Sequence, residues 1–176
     1  MKLFKSLFLI LTLTSVLISC NKDEETHEPT KSELIVGTWE LNDVALSGTF
    51  TTTVGTGTPI ISTMVGEGNT FTDPIQNYTN DPKVIGSGSF VLVTTTTTNG
   101  VDKTEQKIVN VGGFDEWKID GDKLTLSKAS EDDKVYDIIT LTSKVLKIKG
   151  LKEETTMAGG TTVKTEVRTS LTFEKK

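Results

Sequence analysis

Apolar and polar residues alternate with a period of two along most of this chain. Between residues 35 and 46, Trp39 and Leu41 fall on one side and Glu40 and Asn42 on the other. That alternation predicts a strand with one buried face. Residues 49–65 are rich in Thr and Gly and carry Phe50, Val54, Ile60, Ile61 and Val65. They read as one long or two short strands whose register is weakly specified. Residues 67–83 contain Asp73-Pro74 and Asp81-Pro82 with little periodicity, which predicts a long loop with a helical turn near residues 75–78.

Strands resume at residues 84–98, and Asn99-Gly100 is a two-residue hairpin signal leading into residues 103–111. The five consecutive threonines at 94–98 suit a half-exposed pleated surface. Gly112-Gly113 breaks the ladder; Trp117 with Ile119, and Leu124 with Leu126, then share faces across the Asp120-Gly121 turn. After a polar turn at 130–133 come apolar runs at 136–141 and 145–151. A turn at 157–160 leads to a last strand with Val163, Val167, Leu171 and Phe173 on one side and Lys164, Glu166, Arg168 and Thr172 on the other.

About eight to ten strands joined by short turns define an all-β domain, and consecutive strands are antiparallel neighbours by default. An up-and-down meander closing as a barrel is the expected architecture, with a β-sandwich as the alternative, since both manage exposed edges. A helical turn is expected at residues 31–34, just before the first strand.

Composition narrows the functional classes. The chain has 176 residues and a net charge of −5, and Arg168 is its only arginine. An acidic chain with scattered lysines does not present a nucleic-acid surface. Cys20 is the only cysteine and His27 the only histidine, so no internal disulfide can form, and His27, in a polar segment without companion ligands, is not expected to bind a metal or act in catalysis. Acidic residues cluster at Asp115-Glu116, Asp120 with Asp122, and Glu131-Asp132-Asp133. Near turns, such carboxylates are solvated, and none of the runs follows a calcium-loop pattern. No catalytic residue, metal ligand or cofactor beyond a covalent lipid is expected, and the chain does not read as an enzyme.

The first twenty residues supply the lipid. Lys2 and Lys5 precede an apolar run over residues 7–18, shorter than the ~20 residues a membrane-spanning helix needs and suited to a signal peptide. The run ends in Leu17-Ile18-Ser19-Cys20, which resembles the lipobox of bacterial lipoproteins. That resemblance implies a signal peptide over residues 1–19 and a diacylglyceryl thioether on Cys20. Each buried methylene contributes ~0.8 kcal/mol, so two or three acyl chains anchor a protein firmly. Lys22, Asp23, Glu24 and Glu25 follow and resemble the surface-export signal of Bacteroidetes lipoproteins. This implies the outer membrane, facing outward, with the periplasmic face as the alternative. Residues 20–33 read as the lipidated cysteine and a flexible tether, and residues 34–176 as the folded domain.

Gly37-Thr38-Trp39 opens the first strand and resembles the Gly-X-Trp motif of lipocalins. With Trp117-Lys118-Ile119, the run from Asp122 through Ser127 and the final Leu171-Thr172-Phe173-Glu174-Lys175, the mature chain is similar to the lipocalin-like domains of Bacteroidetes lipoproteins. The resemblance implies that Gly37, Trp39 and Arg168 close one end of the barrel, with the arginine packed against the indole. It also implies a cup for a small apolar ligand, which Phe90, Phe114, Trp117 and Tyr136 either line or fill. The other reading is a cell-surface interaction protein with a filled barrel, acting on a protein or glycan through residues 49–83. Ligand, partner and oligomeric state are not written in the sequence.

Overall fold

A computed structural model describes residues 28–176; Cys20 and the Lys22, Asp23, Glu24 and Glu25 signal lie outside the described residues. A short helix, α1 (Lys31–Ile35), comes first. Thr30 caps it: its hydroxyl accepts from the Glu33 backbone N–H, while the Glu33 carboxylate accepts from the Thr30 N–H. This reciprocal capping box satisfies donors a helix start otherwise leaves open.

Nine strands follow. They are β1 (Gly37–Val54), β2 (Ile60–Tyr78), β3 (Val84–Thr98), β4 (Val101–Asn110), β5 (Glu116–Asp120), β6 (Lys123–Lys128), β7 (Glu131–Leu141), β8 (Val145–Ala158) and β9 (Thr161–Lys175). All belong to one antiparallel sheet in the order β4-β3-β2-β1-β9-β8-β7-β6-β5. This is an up-and-down meander in which β1 and β9 lie side by side, in register from Trp39↔Lys175 to Val54↔Thr161.

The expected barrel is not closed. The sheet ends at β4 and β5, and the two halves meet there only at the start of β3. That contact includes the Lys83↔Glu116 bridge, with Val84 N–H donating to the Asp115 carbonyl at 3.2 Å, Trp117 N–H to the Pro82 carbonyl at 3.0 Å and the Trp117 indole N–H to the Thr79 carbonyl at 3.1 Å. Two features keep the seam open. Gly112 and Gly113 have φ of 110° and 89°, a backbone open to glycine, and they turn the chain away from β4. In addition, β5 and β6 are only five and six residues long, against fifteen in β3. They cannot run alongside the whole length of β3 and β4.

The core sits at the end that β5–β7 cover. Ile35, Trp39, Leu41, Tyr78, Leu124, Leu126, Leu146, Ile148 and Phe173 are each no more than 3% exposed. Every buried hydrophobic side chain among the described residues falls between Ile35 and Phe173. Farther along, β1, β2, β3, β4, β8 and β9 continue as threonine-rich arms. The β7–β8 register stops at Tyr136↔Gly150, so β8 beyond that point has no neighbour on the β7 side.

The expected loop at 67–83 is mostly strand. β2 runs on to Tyr78 through two register shifts, at Asn69/Thr72 and Thr72/Ile75. Thr70 and Asp73 adopt φ of 48° and 41° in these bulges. A bulge adds a residue to one strand and resets the period, which erases the alternation that would have marked this segment as β. Pro74 is fully buried here; a proline fits a strand at such a break, where its missing N–H interrupts no regular ladder.

Candidate functional site: an apolar cavity beside the open seam

On the inner face, a cavity of about 310 Å³ lies between β1, β9, β2, β3 and β4. Its walls are Leu41, Val44 and Leu46 of β1, Leu171 and Phe173 of β9, Phe90 and Leu92 of β3, and Val109 of β4. The β4–β5 connection adds Gly112 and Phe114. Apolar residues of β3 and β9 reach this space at alternate positions, and on β1 a register shift between Leu41 and Asp43 switches the inward parity so that Val44 and Leu46 join Leu41.

Glycines shape the curl around it. A Cβ on Gly68 would lie 2.8 Å from the Val44 Cβ and 3.0 Å from the Phe71 ring, and one on Gly66 would lie 3.0 Å from the Thr94 methyl. β2 therefore offers backbone where its neighbours offer side chains, and β1 and β3 fold toward each other across it. Glycine in a strand commonly marks such a bend or close approach. Phe71, in the first bulge, stacks on Phe90 with ring centroids 5.9 Å apart.

The cavity holds one buried polar side chain. Gln76 is 6% exposed and contributes to the wall. Its Oε1 accepts the Tyr78 hydroxyl at 2.6 Å. Tyr78 is itself 1% exposed and meets Trp117 edge-on, with centroids 6.1 Å apart. Burial, with a smaller contribution from Tyr136, holds the Tyr78 hydroxyl well above the ordinary phenol range. No charged side chain lines the cavity; Asn110 and Thr169 are its other polar members.

Gly37 and Trp39 lie together at the covered end. Trp39 is fully buried, and its Nε1 donates to the Ile35 carbonyl at 2.6 Å. Arg168 is not its partner. Paired across from Ser47 on β9, Arg168 bonds Glu166 and its side chain is 67% exposed. The cation over the indole is Lys175, with Nζ 5.1 Å from the ring centroid and donating to the Leu34 carbonyl at 2.9 Å. Gly37 makes room for it: φ is 131°, and a Cβ would lie 2.7 Å from the Lys175 Cε. The sequence held the signal for this exchange, because Lys175 shares parity with Phe173 whereas Arg168 does not.

Of the four aromatics expected to line or fill a cup, Phe90 and Phe114 line the cavity, while Trp117 and Tyr136 pack with the core. Gln76 escaped the sequence reading because it sits in the stretch read as loop. The turn carboxylates hold structure: Glu116 bonds Lys83, Asp122 bonds Lys31, Glu131 bonds Lys128, and Asp115 accepts the Ala129 N–H. Among the described residues, no three His, Cys, Asp or Glu side chains are grouped to hold a metal ion. The 49–83 segment, expected to reach a partner through loops, is chiefly the β1–β2 hairpin.

Fold and site together describe a single-sheet, antiparallel all-β domain with an apolar cavity that opens to solvent. Comparison with family models, curated proteins and solved structures finds no match to this chain.

Proposed function

We propose that this protein is a lipid-anchored, surface-displayed binding protein that takes a small apolar molecule into the cavity beside the β4–β5 seam. The observation that carries the reading is the apolar wall around about 310 Å³ of unfilled space, a size within the range of small-molecule sites. At about 30 Å³ per water-sized group, it accommodates roughly ten non-hydrogen atoms. For a ligand of that size, about 0.5 kcal/mol per atom corresponds to a dissociation constant on the order of 0.1 mM. The leader, Cys20 and the Lys22–Glu25 signal support the anchored, outward-facing address.

Native mass spectrometry on the full-length protein, purified from the native host and freed of detergent in the gas phase, tests the cavity. The expected result is an extra mass released on denaturation. A clean apo mass, with no thermal stabilisation by a panel of apolar compounds, overturns the reading. It would favour the other one, a surface interaction protein, which rests on β4: a ten-residue edge strand with nearly every side chain exposed and an unpaired backbone edge that an extended peptide can join.

A further inference from the structure

The chemistry of the cavity wall selects among apolar molecules, and the selection rests on the proposed binding role. Gln76 is buried, lines the cavity and uses its Oε1 to accept from Tyr78. A carboxamide has two N–H donors besides its acceptor oxygen. No group among the described residues accepts from the Gln76 nitrogen, and no buried side-chain polar atom is left without a partner. The nitrogen is therefore reachable, and since the residue is almost wholly buried, the space it reaches is the cavity. The cavity offers donors and, with no Lys or Arg in its wall, no positive charge.

We infer that the ligand is an uncharged apolar molecule bearing a carbonyl oxygen, as in a ketone, ester or amide, and that Gln76 Nε2 donates to that oxygen. A plain hydrocarbon leaves the buried amide N–H groups without a partner, which costs binding. An ionised fatty acid brings a carboxylate into a wall without a cation, where desolvation of the charge is not compensated. A neutral carbonyl accepts without introducing charge. Tyr78 serves as a positioning residue: by occupying Oε1, it turns the nitrogen toward the ligand.

The test uses three probes of closely similar size, propylbenzene, propiophenone and phenylpropionate, titrated calorimetrically at neutral pH into the full-length protein. Propiophenone is expected to bind about tenfold tighter than propylbenzene, and phenylpropionate weakest of all. Gln76→Leu alone strands the Tyr78 hydroxyl, so the informative variant is Gln76→Leu with Tyr78→Phe, which removes both polar partners together. There the ketone's advantage is expected to vanish while propylbenzene still binds. Tyr78→Phe alone keeps the Gln76 donors but releases Oε1, so the preference is expected to fall to a few-fold; an unchanged preference overturns the positioning role of Tyr78. Equal binding of ketone and hydrocarbon to the native protein overturns the carbonyl inference and leaves the cavity reading standing. Tightest binding by phenylpropionate overturns it in favour of an acid. Binding by none of the three overturns the cavity reading itself.

Discussion

Replacing Trp39 by phenylalanine removes three things that the structure places on one side chain. The Ile35 carbonyl loses the indole N–H that reaches it at 2.6 Å; leaving a buried acceptor unsatisfied costs about 1–3 kcal/mol. The Lys175 ammonium, 5.1 Å from the indole centroid, faces a ring with a weaker field, and such contacts contribute about 0.5–1 kcal/mol at partly exposed sites. The smaller ring also leaves a void in a fully buried position. Complete truncation of a buried tryptophan to alanine costs about 3–5 kcal/mol and sets the ceiling. The expected loss for Trp39→Phe is about 2–4 kcal/mol, or roughly 5–10 °C in Tm for a domain of this size. Urea unfolding of the full-length protein measures it, and Trp117, the remaining tryptophan, serves as the fluorescent reporter. Adding Lys175→Met, which keeps the apolar stem and removes the charge, completes a double-mutant cycle. A coupling of about 0.5–1 kcal/mol is expected for the cation over the ring. A loss below 1 kcal/mol for Trp39→Phe, or a strictly additive cycle, refutes the placement of the indole as the plug of the covered end.

Two further predictions concern the packing of β3 on the bulged half of β2 and the polar pair under the cavity. Gly88→Ala places a Cβ 1.9 Å from the Asp73 carbonyl oxygen at φ of +78°, so β3 must move off the second bulge of β2; a loss of about 2 kcal/mol or more is expected in chemical denaturation, and a neutral substitution contradicts the packing. For Tyr78, burial raises the folded-state pKa above the unfolded value of 10.0. The folded state thus holds a proton that the unfolded state releases above that pH. Stability is independent of this group below pH 10 and falls as the pH climbs past it, by up to about 1.4 kcal/mol per pH unit. In Tyr78→Phe the alkaline slope is expected to be shallower, with Tyr136, raised by burial as well, still contributing. An unchanged slope means that the Tyr78 hydroxyl titrates freely in the folded protein.

Parity carried most of the strand assignments because half-buried strands have a period that side-chain chemistry must follow. Val163, Val167, Leu171 and Phe173 share one side of β9, across from Thr52, Gly48, Val44 and Leu41 on β1. Asn99 and Gly100 both take positive φ, 50° and 77°, in the hairpin their dipeptide announces. Parity failed at residues 67–78 for the reason it succeeds elsewhere: the two bulges of β2 break the period, and Gly66 and Gly68 have no side chain with which to report a face. Closure was beyond its reach altogether. An open meander and a closed barrel alternate identically; what distinguishes them is the length of β5 and β6 and the direction in which Gly112-Gly113 sends the chain.

The cavity follows from the same two causes that hid it. Leu171 was legible as an inward-facing apolar residue, but Val44, which parity sets opposite Trp39 and Leu41, turns inward only through the β1 register shift between Leu41 and Asp43; whether such residues fill the space between them depends on the curl of the sheet, and the glycines of β2 set that curl. Gln76 became visible only once the bulged half of β2 was recognised as strand, because its inward direction is a property of register. The wall on the β4 side is made by Val109, Asn110, Gly112 and Phe114, where β4 gives way to the turn that keeps β5 from pairing with it. Had β5 continued along β4, its side chains would have been added to this wall and a closed ladder would have sealed it from solvent. The open seam and the accessible cavity are therefore one feature. A substitution that let β4 and β5 zip together would be expected to slow exchange of a bound molecule even with every cavity-lining side chain unchanged.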